Sequence, residues 1–229
     1  MTMPETLPRR LVAEGLGTGW LLCAIVGSGI MAERLSGGNS GIALLCNSLA
    51  TGAALIVVIL TFGAVSGAHF NPVVTLADAS QGGLPWREVA PYIASQMGGA
   101  FLGVVAAHAM FDLPLVQWSG HVRSGAPQLV SEAIATFGLL ATIWGTSRRR
   151  PESVPFAVGL YITAAYWCTS STSFANPAVT LARAFTDTFT GIRFSDTPAF
   201  IGGQLIGACA ATVVFRWLVP ARPDPVRRS

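Results

Sequence analysis

Two stretches concentrate the residue types that could do chemistry: "SGAHFNPVVTLADA" at 66–79 and "STSFANPAVTLARA" at 171–184. At one constant offset, Ser66, Asn71, Pro72, Val74, Thr75, Leu76, Ala77 and Ala79 of the first recur identically in the second. Asn is among the best helix N-cap residues, and Pro suits the first helical position, where its missing N–H leaves nothing unsatisfied. Each pair, Asn71-Pro72 and Asn176-Pro177, therefore reads as a helix start. With the side-chain oxygen used as a cap, the amide NH₂ remains free to donate into a cavity. The chemistry on offer is hydrogen-bond donation to a neutral acceptor. Covalent chemistry has no comparable support: His69, His108 and His121 share no metal-like spacing, and no nucleophile–base pattern occurs. The sequence predicts no enzyme, no cofactor and no metal site.

The elements that position these boxes are membrane helices. Of the 229 residues, 52% are hydrophobic and only 11% charged, against about 25% charged in soluble domains. Six segments approach the ~20 apolar residues that cross a bilayer, near 11–31, 41–63, 88–110, 129–147, 154–170 and 198–219. Two further apolar pieces, 72–80 and 177–187, are too short to cross and follow the Asn–Pro pairs. The start, "MTMPETLPRR", is too polar for a signal peptide, so the first span is expected to be retained. Cys23, Cys46, Cys168 and Cys209 lie far apart inside apolar stretches and read as packing residues.

The net charge of +3 comes from arginine, gathered in short clusters and without a broad basic face, so nucleic-acid binding is not expected. Loop arginines set topology instead. With the N-terminus in the cytoplasm, that side receives Arg9, Arg10, Arg87, Arg148, Arg149, Arg150, Arg222, Arg227 and Arg228. The far side receives Arg34, Arg123, Arg183 and Arg193. Both termini are expected inside, in a multi-pass protein of a bacterial inner membrane.

The repeat extends beyond the boxes. "VAEGLGTGWLL" at 12–22 matches "VSEAIATFGLL" at 130–140, aligning Glu14 with Glu132; "IASQMGGA" at 93–100 matches "IGGQLIGA" at 201–208. Each half holds three spans and one short helix, so the second copy enters from the opposite face. The expectation is one inverted-repeat domain over 1–229, with repeats at about 8–115 and 126–220. Irregular backbone at membrane depth survives only in protein or along a watery cavity. Inversion brings both short-helix starts, with their positive dipole ends, together near the midplane. A lone Asn-Pro is an ordinary turn; two copies in matching halves are not.

With these boxes and repeats, the chain resembles the aquaporin (major intrinsic protein) family over residues 8–219. "SGAHFNPVVT" is similar to the family's first signature loop, with Val73 where Ala is usual, and "NPAVT", containing Ala178, to the second. The resemblance implies six transmembrane helices plus two re-entrant half-helices, an all-α aquaporin-like fold, usually assembled as a homotetramer with one pore per subunit. It implies that Glu14 and Glu132 accept hydrogen bonds from the re-entrant loops, and that His69 lines the pore. Asp78 and Arg183, at equivalent repeat positions near the half-helix ends, read as structural pairings.

Most relatives narrow the pore with an aromatic residue and an Arg directly after the second box, where this chain has Val179. Counting from the boxes transfers the other constriction positions to Thr51, Ala164 and Ser173, with Ala165 and Tyr166 next to Ala164. Arg183 lies one helical turn past Val179, at a different depth. Such a ring is expected to be wide and free of aromatic or cationic groups. It resembles the bacterial aquaglyceroporin branch associated with arsenic resistance, implying passage of glycerol-like polyols, arsenous acid and water. The alternatives are a mainly water-conducting aquaporin or, on weaker grounds, a secondary transporter with inverted repeats. A sealed, junction-forming membrane protein would carry no flux at all.

Overall fold

In the computed structural model, which describes residues 5–220, the chain folds as α1 (Leu7–Leu35), α2 (Ser40–Ser66), α3 (Pro72–Ser80), α4 (Trp86–Met110), α5 (Ala126–Ser147), α6 (Val154–Cys168), α7 (Pro177–Ala182) and α8 (Thr197–Leu218). The arginines expected at positions 222, 227 and 228 lie outside the described residues. Proline and asparagine set several of the boundaries. Asn39 caps α2 by accepting from Ile42 N at 3.1 Å, and α2 stops at Gly67, whose φ of 88° places it in the left-handed region that Gly adopts without cost. Pro72 and Pro177 open the two short helices.

Among the described residues, five helices are long and apolar enough to cross a membrane: α1, α2, α4, α5, and α8 with the turn before it. The sixth expected span, α6, has 15 residues, about 22 Å at 1.5 Å per residue; the tight turn Pro151–Ser153 precedes it. Large apolar side chains stay exposed around the outside, among them Leu16, Leu60, Leu102, Ile134, Leu160 and Val213. In water this would be a liability; against acyl chains it is the solvated surface.

Packing repeats in the two halves. Helices α1 and α4 cross so closely that a Cβ on Gly99 would lie 2.1 Å from Gly15 O, and one on Gly207 would lie 2.1 Å from Ala133 O where α5 crosses α8. Small residues let backbones approach where no hydrophobic effect drives helices together. Helices α2 and α6 close the ring, and α3 meets α7 inside it.

The second short helix ends earlier than expected. Instead of reaching 187, α7 stops at Ala182 and tightens into a 3₁₀ turn over Arg183–Phe185. Its last carbonyls are claimed by other segments. Ala184 O accepts from Ser119 N at 3.0 Å, Phe185 O from Gln117 N at 3.2 Å and Arg183 O from Ile192 N at 3.3 Å. The loop after α4 supplies partners that a longer helix would have supplied, and helicity ends there.

Candidate pore and its lining

The two box loops adopt the same strained backbone. Ala68 and Phe70 have φ of 51° and 49°; Ser173 and Ala175, one repeat later, have 51° and 49°. Gly67 is left-handed at 88°, and its repeat partner Thr172 sits at 59°. A left-handed non-Gly residue costs about 1–2 kcal/mol, so such loops persist only where surrounding contacts over-determine them.

Glu14 and Glu132 supply those contacts. Both carboxylates are fully buried. Glu14 accepts from His69 N at 2.9 Å, Phe70 N at 2.7 Å, Ser66 Oγ at 2.6 Å and Gln96 Nε2 at 2.8 Å. Glu132 accepts from Phe174 N at 2.9 Å, Ala175 N at 2.8 Å and Gln204 Nε2 at 2.6 Å. The same glutamines donate onward to Thr75 Oγ1 at 2.9 Å and Thr180 Oγ1 at 2.8 Å. Those hydroxyls in turn donate to the carbonyls of Asn71 and Asn176. Glu, Gln and Thr thus form one brace per repeat, leaving neither carboxylate positioned for proton transfer along a chain of acids. Glu132→Ala would strip partners from two buried loop N–H groups and Gln204. With a penalty of about 1–3 kcal/mol for each unsatisfied group, the expected outcome is little folded protein, measured by detergent-solubilised size-exclusion yield. Glu132→Gln should be milder.

At the boxes, Asn71 Oδ1 accepts from Val73 N at 3.0 Å, and Asn176 Oδ1 from Ala178 N at 2.9 Å and Val179 N at 3.3 Å. The amide NH₂ groups are not wholly free, as the cap argument alone predicts. Asn71 Nδ2 donates to Ala175 O and Asn176 Nδ2 to Phe70 O, each at 2.8 Å. The starts of α3 and α7 are laced to each other, and each NH₂ keeps one hydrogen for the cavity that both asparagines line.

That cavity holds about 370 Å³. Because the two short helices meet at their N-termini, their C-terminal ends point to opposite mouths. Asp78, Gly83 and Ser147 line one end, and Phe174 and Arg183 the other. Repeat partners line it in pairs: Asn71 with Asn176, Val74 with Val179, and Asp78 with Arg183. Its lining is largely aliphatic, with Leu21, Leu55, Leu139, Val158 and Ile162, and polar groups come from Asn71 and Asn176 and from the hydroxyls of Thr51, Tyr166 and Ser173.

Thr51, Ser173, Val179 and His69 all line this cavity. Ala164 does not: it lies on the exposed face of α6. That helix faces the cavity with Val154, Val158, Ile162 and Tyr166, the last two flanking position 164, and the Tyr166 hydroxyl donates to Thr51 Oγ1 at 3.2 Å. Counting back from Asn176 crosses the irregular turn at 169–176, and the helix register slips by two. The ring is consequently not free of aromatics.

His69 packs its ring on Tyr92, with Nδ1 3.2 Å from Thr75 Oγ1 and Nε2 3.5 Å from Asp78 Oδ2. Asp78 has the structural pairing its position predicts. Arg183 has none with a carboxylate among the described residues. Its Nε donates to Thr190 O, and its guanidinium lies 3.4 Å from the Phe174 ring centroid. His108 is structural, joining Thr186 Oγ1 at 2.8 Å and Leu115 O at 3.1 Å. No cluster of potential metal ligands occurs among the described residues.

Two Asn-capped half-helices, braced by buried glutamates and meeting across a lined cavity, define a membrane channel of inverted-repeat design. The sequence profile described as Major intrinsic protein matches residues 2–168. The chain is 54% identical over 218 residues to the aquaglyceroporin AqpS of Rhizobium meliloti, covering 95% of this chain and 93% of that protein. It is 32% identical over 246 residues to a probable aquaporin AqpM of Archaeoglobus fulgidus, covering 94% and 99%. In fold it is similar to the crystallographic aquaglyceroporin of Plasmodium falciparum, with a TM-score of 0.71 at 22% identity over 92% of this chain and 94% of that one. The chain belongs to the major intrinsic protein family.

Proposed function

We propose that the protein is a passive channel for small neutral solutes bearing several hydroxyl groups, such as glycerol-like polyols and arsenous acid, with water passing alongside. The observation that carries this reading is the mixed lining of the cavity. Asn71 and Asn176 each keep one N–H for it, together with the Thr51, Tyr166 and Ser173 hydroxyls, in a lining that is otherwise largely aliphatic. A solute with both hydroxyls and apolar carbon or arsenic surface matches such a lining, whereas an ion finds too few partners to replace its hydration shell. The similarity to an aquaglyceroporin at 54% identity supports the same solute class.

The glutamate braces also favour a channel over a secondary transporter. Their carboxylates are committed to loop N–H groups and glutamines, so neither is a free acid able to couple ion movement. The assembly we propose is a homotetramer in the bacterial inner membrane with both termini cytoplasmic, and each of the two repeats forms half of a single channel domain.

Stopped-flow light scattering on proteoliposomes tests the function with water, glycerol and arsenous acid compared side by side. Expected is entry of each solute that ends when inside and outside concentrations are equal. Accumulation against a gradient driven by protons or sodium would remove the channel reading.

A further inference from the structure

The most unusual group along the pore is Arg183. It is 2% exposed, no carboxylate pairs with it among the described residues, and it lines the cavity. A buried cation without a counter-ion is costly and is retained in membrane proteins chiefly where it serves the permeation path. What holds it is indirect: a hydrogen bond from Nε to Thr190 O and the face of Phe174, 3.4 Å from the guanidinium carbon. A second guanidinium, that of Arg123, also lies over that ring, 5.2 Å from its centroid, and its Nε donates to Gly191 O at 2.8 Å. Phe174 and the Thr190 carbonyl fix the Arg183 guanidinium by its face and edge. They leave its terminal nitrogens without a partner among the described residues, beside the cavity.

Position gives this cation its consequence. Val179 and Arg183 are four residues apart and both line the cavity, so they share one face about 6 Å apart along the axis. Thr51, Tyr166 and Ser173 line the same cavity as Val179 and carry no formal charge. One turn outward stands a fixed positive charge whose side chain is drawn aside onto Phe174.

The geometry points to a pore in which selection by size and selection by charge are separated by one helical turn: the ring around Val179 sets the width, and Arg183 is the cation barrier and the outermost hydrogen-bonding contact for solutes. This rests on the channel reading above. It assigns ion exclusion to a named side chain, where the half-helix dipoles alone are weak partial charges. It also explains how the ring can lack a cation without the pore admitting cations, since a charge several ångströms away in a poorly solvated tunnel still acts strongly.

The test compares wild type, Arg183→Gln and Arg183→Lys in proteoliposomes, measuring sodium and proton leak next to glycerol flux. Gln keeps an N–H donor and a flat group for Phe174 but removes the charge; Lys keeps the charge. Expected for Gln is a ratio of cation leak to glycerol flux raised about tenfold or more over wild type in the same vesicles; Lys should keep the wild-type ratio. Unchanged leak in folded Arg183→Gln, or a Lys variant as leaky as Gln, would overturn the proposal and leave Arg183 a tether for the 190–191 loop. If Arg183→Gln does not reach the membrane folded, Arg183→Cys in a chain with its four native cysteines changed to serine carries the same test. A cationic thiol reagent must then reduce the leak and an anionic one increase it; equal effects overturn the proposal. Absence of glycerol flux in wild type is a separate result, and it sinks the channel reading instead.

Discussion

Asn176→Ala should reduce solute flux to near background, with far less effect on the amount of protein inserted than the Glu132→Ala variant. Three interactions end at that side chain. Its oxygen caps α7 through Ala178 N and Val179 N, its Nδ2 donates to Phe70 O, and its remaining N–H faces the cavity. Loss of the cap costs about 1 kcal/mol, and the unpaired Phe70 carbonyl about 1–3 kcal/mol more if water cannot reach it. The carbonyl belongs to a residue with φ of 49°, so losing its partner also frees a strained loop to relax into the lumen. Asn71→Ala removes one cap hydrogen bond instead of two, together with the donor to Ala175 O, and should be equal or milder. Flux per inserted chain, normalised by quantitative immunoblot of the same vesicles, decides the matter. Wild-type flux in both variants would mean that the asparagines hold the loops but do not border the path.

Much of this architecture is legible in the sequence because it is written twice. The boxes, the paired glutamates and the paired glutamines recur at matching places, and the structure joins them into one brace per half. Periodicity and capping chemistry place α3 correctly at Pro72–Ser80. The failures share a cause: each depends on tertiary partners that spacing does not encode. The second short helix ends at Ala182 because the loop carrying Gln117 and Ser119 takes its carbonyls. The asparagine amides are half-committed because the opposite repeat presents a carbonyl, a contact across the domain that cap chemistry alone cannot show. Ala164 falls on the outer face, since the turn at 169–176 has no fixed rise per residue and counting through it loses register. The sequence does hold one signal for Arg183, its four-residue spacing from Val179. What it lacks is Phe174, whose ring holds the guanidinium beside the lumen.

Val179→Arg should have the other large effect, dividing solutes by size. Val179 is 3% exposed and faces the lumen beside Thr51, Tyr166 and Ser173. An arginine there adds length, a fixed charge and several N–H donors to the uncharged level of the pore. It also stands four residues before Arg183, and like charges at that spacing repel by about 0.2–0.5 kcal/mol on an exposed helix, with a larger effect in a less polar tunnel. Arg183 is already committed to Phe174 and Thr190 O, so the new side chain has little choice but to extend across the lumen towards the Tyr166–Thr51 pair. Glycerol and arsenous acid must then pass a guanidinium in a ring that Tyr166 already narrows, whereas single-file water can hydrogen-bond past it. Glycerol flux is therefore expected to fall about tenfold, a barrier increase of about 1.4 kcal/mol, with water flux falling no more than about threefold on the same scale. The ratio of the two fluxes in the same vesicles is the measurement, which removes differences in insertion. An equal loss of both in folded, inserted protein would indicate simple plugging. An unchanged ratio with full flux would place the narrowest level elsewhere; the Arg183 turn is then the first place to look, because Tyr166 and Phe174 both border the cavity on that side of the boxes.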